Sequence, residues 1–235
     1  MTPAPASGIA LDDVWHAFDG EPVLRGITAA LTERRIGIVG ANGSGKSTLA
    51  RTFNGLVVPD RGTVTVGGDD VRRHRARARE RVGFVFADAS AQIIMPTVAE
   101  DVALSLRGRG RRARRTGVAD PRVAEALDRY GLAELADRPA QLLSSGQKQL
   151  LAFASVLVTE PEILVCDEPT TLLDLRNMLR VEEILAGLAQ QVILLTHHLD
   201  MLDDFDRVLV IDRGEIACDA APAEAVGYYR ELAAR

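Results

Sequence analysis

The sequence predicts an α/β fold in which helices cover both faces of a mainly parallel sheet. Short apolar runs that are typical of buried strands alternate with helical runs along most of the chain. A glycine-rich loop, residues 40–47, stands between one of these strands and one of these helices. The length of 235 residues and a hydrophobic fraction of 47% suit one large α/β domain, or two small ones, with a sizeable core.

The strands are predicted from short apolar or alternating runs. Residues 1–8 are rich in proline and small side chains, so we expect a flexible arm ahead of a domain that spans residues 9–235. The first two strands form an antiparallel pair, and the later, fully apolar ones belong to the parallel sheet. Strands are predicted at residues 9–18, 23–31, 35–39, 62–66, 82–86, 163–166, 192–195 and 208–211.

The helices are predicted from the spacing of apolar side chains. Val123, Leu127 and Tyr130 recur at helical spacing. The run from residue 147 to residue 158 is apolar nearly all round, as expected of a buried helix. Helices are predicted at residues 47–53, 97–106, 122–130, 147–158 and 176–188.

Charge and cysteine content exclude several classes of protein. The chain has 28 basic and 33 acidic residues and a net charge of −5. Free nucleic-acid-binding proteins usually have a strongly basic balance, so we expect no nucleic-acid partner. Cys166 and Cys218 make no disulfide framework, which favours a reduced, intracellular setting. No apolar stretch approaches the ~20 residues that span a bilayer, and residues 1–8 do not resemble a secretory signal.

Residues 40–47 (G-A-N-G-S-G-K-S) fit the phosphate-binding pattern G-x-x-x-x-G-K-[ST] without a gap. The glycines allow backbone N–H groups to surround phosphate oxygens, and the following helix directs its positive end at the anion. Lys46 is expected to neutralise the β- and γ-phosphates, and Ser47 to bind Mg²⁺ through its hydroxyl group. The loop therefore predicts a binding site for a nucleoside triphosphate and Mg²⁺.

Two further strand ends carry polar groups suited to the same chemistry. The apolar run at residues 163–166 ends in Asp167 and Glu168. We expect Asp167 to hold Mg²⁺, directly or through water, opposite Ser47, and Glu168 to act as general base toward the attacking water. The strand at residues 192–195 leads to His197, predicted to donate to the γ-phosphate and the attacking water, with His198 as the competing candidate.

The pentapeptide L-S-S-G-Q at residues 143–147 resembles the signature motif of the ATP-binding-cassette (ABC) ATPases. With the phosphate loop, the acid pair, Asp174 and His197, its order and spacing match that family from about residue 9 to the C-terminus. The resemblance implies an ABC-type fold with an N-terminal antiparallel subdomain and a helical signature subdomain at roughly residues 88–160.

The same resemblance implies a dimer that encloses ATP between the phosphate loop of one chain and the signature motif of the other. Phe18 matches an aromatic residue that stacks on adenine, with a core or hairpin aromatic as the alternative interpretation. Asp174 matches a loop that contacts the other subunit. The implied ATP contacts are Phe18, Asn42, Gly43, Ser44, Gly45, Lys46, Ser47 and Thr48 on one chain and Ser144, Gly146 and Gln147 on the other.

Residues 91–102 (A-Q-I-I-M-P-T-V-A-E-D-V) resemble the segment through which energy-coupling-factor importer ATPases contact their transmembrane coupling subunit. Within that group, residues 84–86, 94–97 and 174–177 are most similar to the ATPases of biotin importers. Cobalt or nickel importers are the alternative. An exporter subunit is a further alternative, and it would lack the segment at residues 92–102.

The chain departs from the family pattern in three places. Ala87 stands where the family has a glutamine that contacts Mg²⁺ and the attacking water. Gln92, five residues later, is therefore predicted as a metal ligand beside Ser47 and Asp167. The signature motif has Ser-Ser in place of Ser-Gly, and Leu172 replaces a small residue. None of these changes removes a catalytic group, so we expect hydrolysis to survive.

Two arginine clusters stand outside these motifs. They are interpreted as solvated loops or helix faces, or alternatively as surfaces that attract anionic lipid headgroups or an acidic partner. The first cluster comprises Arg72, Arg73, Arg75, Arg77, Arg79 and Arg81, and the second Arg107, Arg109, Arg111, Arg112, Arg114 and Arg115.

The sequence thus predicts an ATP-hydrolysing subunit that lies at the cytoplasmic face of the membrane and dimerises around two Mg-ATP. Its expected partners are a second ABC ATPase subunit (itself or a paralogue), a transmembrane coupling subunit and a substrate-binding membrane subunit. A chromosome-maintenance or DNA-repair ATPase would carry long coiled coils, and a translation-associated ATPase would carry two cassettes. A binding module without hydrolysis is disfavoured by Glu168 and His197.

Overall fold

The computed structural model describes residues 8–106 and 117–234. The chain divides into two compact units. The first draws on Met1–Val82, Glu162–Asp167 and Leu188–Arg235, and the second on Gly83–Pro161 and Glu168–Gly187. The second unit thus includes the helical stretch expected at roughly 88–160 together with Glu168–Gly187. Residues 1–7 of the expected arm and the second arginine cluster lie outside the described residues.

The predicted strands and helices are present, with boundaries that differ by no more than two residues. The strands are β1 (Ile9–Phe18), β2 (Glu21–Leu31), β3 (Arg35–Val39), β4 (Arg61–Val66), β5 (Asp69–Asp70), β6 (Val82–Val85), β7 (Ile163–Asp167), β8 (Gln191–Leu195), β9 (Arg207–Asp212) and β10 (Glu215–Ala220). The helices are α1 (Lys46–Phe53), α2 (Arg75–Arg81), α3 (Val98–Leu106), α4 (Pro121–Arg129), α5 (Ser145–Leu157), α6 (Leu175–Gly187) and α7 (Pro222–Ala233).

The first unit contains the antiparallel sheet, in which the strand order is β2-β1-β4-β5. Strands β1 and β2 pair antiparallel from Ile9 opposite Leu31 to Phe18 opposite Glu21. Both residues of the connecting turn, Asp19 and Gly20, have positive φ angles. This is the conformation of the tight turns whose twist matches that of a hairpin.

The same unit contains five neighbouring strands of the central sheet, in the order β10-β9-β3-β8-β7. Strand β3 lies parallel to β8 and β9, and β7 lies parallel to β8. Residues such as Ile38, Leu164 and Leu194 are fully buried, as expected where both faces of a parallel sheet are covered. Because parallel strands end at the same edge, the last residues of β3, β7 and β8 are brought together.

Strand β10 was not predicted from the sequence, and it pairs antiparallel with β9 at the sheet edge. Its residues alternate between exposed and half-buried, so it lacks the fully apolar run that marks the inner strands. The predicted mainly parallel sheet is confirmed, with this antiparallel edge added.

The second unit is formed mostly by helices α3, α4, α5 and α6. Helices α3 and α5 contact each other, and α4 contacts both. Between α3 and α5 the buried carboxylate of Asp101 accepts a 3.0 Å hydrogen bond from Ser155 Oγ. Its other oxygen accepts from the N–H groups of Ile94 and Met95 at 2.8 and 3.0 Å. This buried acid therefore fixes the bend before α3 and ties it to α5.

The first arginine cluster lies on α2 and the turn before it, where most of its charges bind to nearby groups. Arg72 and Arg79 donate to backbone carbonyls, and Arg73, Arg77 and Arg81 pair with acids of the same unit. This local compensation favours the interpretation as a solvated surface over a binding site for lipid.

Candidate functional site

The phosphate loop in the first unit is held by close backbone contacts that exclude side chains. A Cβ added to Gly40 would lie 2.1 Å from the Ile211 carbonyl oxygen at the end of β9. A Cβ on Gly45, the N-cap of α1, would lie 2.7 Å from the Val23 oxygen in β2. Gly43 has a φ angle of 78°, and a Cβ added there would meet none of the described atoms within 4 Å. The loop is thus clamped at both ends and open at Gly43.

Two polar side chains of the loop are buried in a way that suits an anionic ligand. Lys46 is only 5% exposed, and its Nζ donates to the carbonyls of Gly40 and Ala41 at 2.6 and 3.0 Å. Ser44 Oγ is buried and finds no hydrogen-bond partner among the described residues. A buried hydroxyl group without a partner is costly, so a phosphate oxygen at this position would be a stabilising acceptor.

Two of the three predicted magnesium residues are in direct contact. Ser47 Oγ, at the start of α1, donates to Asp167 Oδ1, at the end of β7, over 2.8 Å. Within residues 8–106 and 117–234, no group of three or more histidine, cysteine or acidic side chains could hold a metal ion. Mg²⁺ is commonly held by one or two protein oxygens together with substrate phosphates, so a hydroxyl group beside a carboxylate fits this ion.

Arg51, which was not singled out from the sequence, places its guanidinium 3.9 Å from Asp167 Oδ2. Residue 51 follows Ser47 by four positions on α1, so both side chains are on the same helix face. This spacing is the only signal in the sequence that could have suggested the contact. The neighbouring Cys166 is fully buried, and burial raises the pKa of its thiol, with a further increase from the Asp167 carboxylate. Cys166 is thus a neutral core residue.

His197 lies against the phosphate loop. Its Nε2 is 3.1 Å from Asn42 Oδ1. Because an amide oxygen only accepts, a hydrogen bond here needs the tautomer that carries its proton on Nε2. The next residue, His198, instead donates its backbone N–H to Thr196 Oγ1. The geometry therefore favours His197 over His198 as the histidine beside the loop.

Phe18 is presented on the hairpin of β1 and β2 with 51% of its surface exposed. The His16 ring meets it edge-on, with ring centroids 4.6 Å apart and an interplanar angle of 87°. His16 Nδ1 is 3.2 Å from Asp60 Oδ2, the oxygen that accepts a hydrogen bond from the N–H of Ala17. His16 and Asp60 were not singled out from the sequence, because their contacts depend on how β1 meets the loop before β4.

Asn42 and Thr48 are the remaining predicted ATP contacts in the first unit. Asn42 is exposed at the tip of the phosphate loop, and Thr48 is half-buried on α1.

In the second unit, Glu168 has a φ angle of 53°, a conformation that costs energy for a residue with a side chain. Its half-buried carboxylate accepts a 3.0 Å hydrogen bond from Thr171 Oγ1. A strained backbone is often retained where a side chain must be aimed for function.

The signature motif opens α5 with a reciprocal cap. Ser144 Oγ accepts from the N–H of Gln147, and Gln147 Oε1 accepts from the N–H of Ser144, at 3.3 and 3.0 Å. Ser144 and Ser145 are exposed, whereas Gly146 is buried. The start of α5 therefore presents a capped helix N-terminus, with its positive end, to the exterior.

Gln92 has a different environment from the one expected of a metal ligand. Its amide nitrogen donates to the Phe84 carbonyl, and its amide oxygen accepts from the N–H of Phe86, both at 3.2 Å. Because both ends of the amide are engaged with the backbone around β6, this geometry argues against the metal contact. The assignment of Gln92 as a metal ligand stays a prediction.

None of the helices in the described ranges combines the length and the apolar character that crossing a bilayer requires.

Comparison with known proteins identifies the family. Residues 28–171, more than half of the chain, match the family model described as ABC transporter. A putative ABC transporter ATP-binding protein of Deinococcus radiodurans is 50% identical over 223 residues, which are 95% of this chain and 97% of that protein. The biotin transport ATP-binding protein BioM of Rhizobium etli is 44% identical over 226 residues, covering 96% of this chain and 99% of that protein.

Among solved structures, CbiO1 from Clostridium perfringens, described as part of the ABC transporter complex CbiONQ, superposes with a TM-score of 0.79. It is 30% identical and covers 96% of this chain and 92% of its own. These findings confirm the predicted fold class and the resemblance to ABC ATPases. The chain belongs to the ABC transporter family and is an ATPase that binds ATP.

Proposed function

We propose that this chain is the energising ATPase subunit of an energy-coupling-factor importer for a biotin-like vitamin. The observation that carries this proposal is the 44% identity, along almost the whole of both chains, to a protein named biotin transport ATP-binding protein BioM. Residues 91–102, which resemble the coupling-subunit contact of such importers, support it. Within this segment Ile94 is 74% exposed, as expected of a residue that contacts a partner.

The first unit supplies the groups that bind the nucleotide. Phe18 stacks on adenine, and the triphosphate lies in the loop of Asn42, Gly43, Ser44, Gly45, Lys46, Ser47 and Thr48. The buried Lys46 and the unpartnered Ser44 hydroxyl support this assignment, because both gain a partner when phosphate oxygens enter the loop.

Ser47 and Asp167 would hold Mg²⁺, a role supported by their 2.8 Å contact. When bound, Mg²⁺ neutralises charge on the phosphate oxygens and so favours attack at the γ-phosphorus. The Arg51 guanidinium, 3.9 Å from Asp167 Oδ2, places a second positive charge beside this carboxylate.

Hydrolysis is assigned to Glu168 and His197. Glu168 accepts a proton from the attacking water, whose oxygen bonds to the γ-phosphorus as the bond to the bridging oxygen breaks; ADP and inorganic phosphate result. His197 donates from Nε2 to the γ-phosphate, the same nitrogen that lies 3.1 Å from Asn42. Lys46 stabilises the charge that develops on the transferred phosphoryl group.

The closed state is a dimer in which each nucleotide is covered by the other subunit's Ser144, Gly146 and Gln147. The exposed, capped start of α5 supports this, since a helix N-terminus attracts an anion. ATP binds the closed state better than ADP does, because only ATP offers a γ-phosphate to this helix end. Hydrolysis therefore shifts the equilibrium toward opening.

The partners are a second ABC ATPase subunit (this chain or a paralogue), a transmembrane coupling subunit and a substrate-binding membrane subunit. This assembly places the chain at the cytoplasmic face of the membrane as a peripheral subunit. The CbiO1 structure, described as part of a transporter complex, supports an assembly of this kind. No nucleic acid is among the partners, in keeping with the net charge of −5.

Affinity purification of the tagged chain from its native membranes, followed by mass spectrometry, tests the assembly. The purified complex is then reconstituted in vesicles, with ATP on the side of the membrane that carries the ATPase subunits. This experiment identifies the transported solute. We expect ATP-dependent uptake of radiolabelled biotin, with no uptake by the Glu168→Gln complex. Uptake of Co²⁺ or Ni²⁺ in place of biotin would identify the metal-importer alternative. Recovery of the chain without any integral membrane protein would contradict the proposal.

A further inference from the structure

The signature glycine is packed against a residue of the same unit. A Cβ built on Gly146 would lie 2.4 Å from the side-chain carbon of the Asn177 amide and 2.5 Å from its nitrogen and oxygen. Real Cβ atoms do not approach other heavy atoms this closely, so a larger residue at position 146 requires Asn177 to move. The amide of Asn177, at the start of α6, thus lies directly on the start of α5.

The Asn177 side chain is also fixed from its other side. Asn177 Nδ2 donates to Asp174 Oδ1 over 2.9 Å, and the Asn177 backbone N–H donates to the same oxygen over 2.9 Å. Asp174 further accepts at its carbonyl oxygen from the N–H of Met178, which begins the hydrogen bonding of α6. The amide therefore joins Asp174 to Gly146 by one hydrogen bond and one close packing contact.

We propose that Asn177 is a positioning residue that locks the loop carrying Asp174 to the signature tip around Ser144. Both elements are thereby presented to the second subunit as one body. This inference rests on the proposed dimer, in which the signature tip covers the other subunit's nucleotide. It adds a contact within the chain that prepares the tip before the two subunits meet, and so lowers the ordering cost of closure.

The proposal gives a second reason for glycine at position 146, besides the approach of a phosphate. A methyl group there would rotate the Asn177 amide away, and this rotation would break the hydrogen bond to Asp174. Gly146→Ala should therefore impair closure through a residue of its own chain. If Asn177 only filled space, the volume next to Gly146 would be all that matters. Asn177→Asp, which keeps that volume, would then dimerise like the parent.

Four variants separate these possibilities, all in a Glu168→Gln background that slows hydrolysis: Gly146→Ala, Asn177→Ala, the two combined, and Asn177→Asp. Asn177→Asp keeps the shape of the side chain but cannot donate to Asp174 and places a like charge beside it. The backbone bond from residue 177 to Asp174 survives every change, so α6 keeps its cap. Arg176→Ala, on the exposed face of the same helix, is the matched control.

ATP-driven dimerisation is measured by analytical ultracentrifugation, and ATP binding to the single subunit by a fluorescent analogue. We expect Asn177→Ala and Asn177→Asp each to weaken dimerisation about five- to tenfold, the usual effect of one lost hydrogen bond between fixed groups. Binding to the single subunit should change less than about twofold, and Arg176→Ala should resemble the parent. Gly146→Ala should weaken dimerisation at least as much as Asn177→Ala.

The combined variant gives the decisive comparison. We expect Gly146→Ala to weaken dimerisation by a smaller factor in the Asn177→Ala background than in the parent, because removal of the amide makes room for the added methyl group. The positioning role is overturned if Gly146→Ala weakens dimerisation by the same factor in the parent and in the Asn177→Ala background. It is also overturned if Asn177→Asp dimerises like the parent. If the parent itself does not dimerise with ATP, the proposed function fails instead. Thermal unfolding of each variant shows whether a loss of dimerisation reflects misfolding. If the alanine variants misfold, Asn177→Asp, which keeps the side-chain shape, tests the positioning role by itself.

Discussion

Ser47 and Asp167, which lie 120 positions apart in the chain, are joined by a 2.8 Å hydrogen bond between the hydroxyl group and the carboxylate. The bond links the first turn of α1 to the last residue of β7. It places two hard oxygen donors beside the phosphate loop. Arg51, one helical turn after Ser47, lies on the other carboxylate oxygen of Asp167 at 3.9 Å.

Asp167→Asn should raise the Mg²⁺ concentration needed for half-maximal ATPase activity by at least about tenfold. The amide can still accept the hydrogen bond from Ser47, but it removes the negative charge that attracts the ion. The measurement is a Mg²⁺ titration of phosphate release. ATP binding in the presence of a chelator is the control and should stay unchanged. An unaltered Mg²⁺ requirement would show that Asp167 does not hold the ion.

Lys46→Ala should weaken binding of a fluorescent ATP analogue by at least about a hundredfold. The substitution removes the positive charge that meets the phosphates and leaves the carbonyls of Gly40 and Ala41 without their donor. Thermal unfolding without nucleotide separates a lost binding charge from a lost fold. Binding close to that of the parent, in a folded variant, would contradict the role of Lys46.

Glu168→Gln should leave ATP binding intact and lower turnover by about 10²–10⁴, the usual contribution of a general base. Glutamine keeps the acceptor for the Thr171 hydroxyl group, so the loop geometry is preserved while the ability to take up a proton is lost. The measurements are equilibrium binding and steady-state phosphate release. Unchanged turnover would assign the base to another residue.

His197→Ala should lower turnover by about 10²–10³, because it removes the donor directed at the phosphate-loop side of the site. His198→Ala is the matched control: it alters an exposed neighbour in the same loop and should keep nearly full activity. Phosphate release by the two variants at saturating ATP makes the comparison. Equal losses, or a larger loss in His198→Ala, would reverse the assignment.

Phe18→Ala should weaken ATP binding about five- to a hundredfold, the range expected for one stacked base. Inorganic tripolyphosphate has no base, so its affinity should be the same for both proteins. Competition of each ligand against a fluorescent ATP analogue gives the two affinities. A parallel loss for tripolyphosphate would mean that Phe18 supports the fold of the hairpin and does not contact adenine.

The central strands and the phosphate loop could be predicted because their signals are local. Apolar runs such as β7 and β8 are almost entirely buried, and their composition alone predicts each of them. Strand β10 and helix α7 were missed because their residues are only partly buried and their pattern is mixed. The contact of His16 with Asp60 and the packing of Asn177 on Gly146 carry no sequence signal that spacing could reveal.

The sequence by itself determined the chemical groups of this protein and their order: a lysine and a hydroxyl group on a glycine loop, an acid pair after one strand, and a histidine after another. Only the tertiary structure decided which of them touch. His197 meets Asn42 across 155 positions, and Gln92 is engaged with the backbone near β6. The physical reason is that motifs and periodicity report the surroundings of a residue along the chain. Contacts between strand ends depend on the order and register of the sheet, which the whole core fixes.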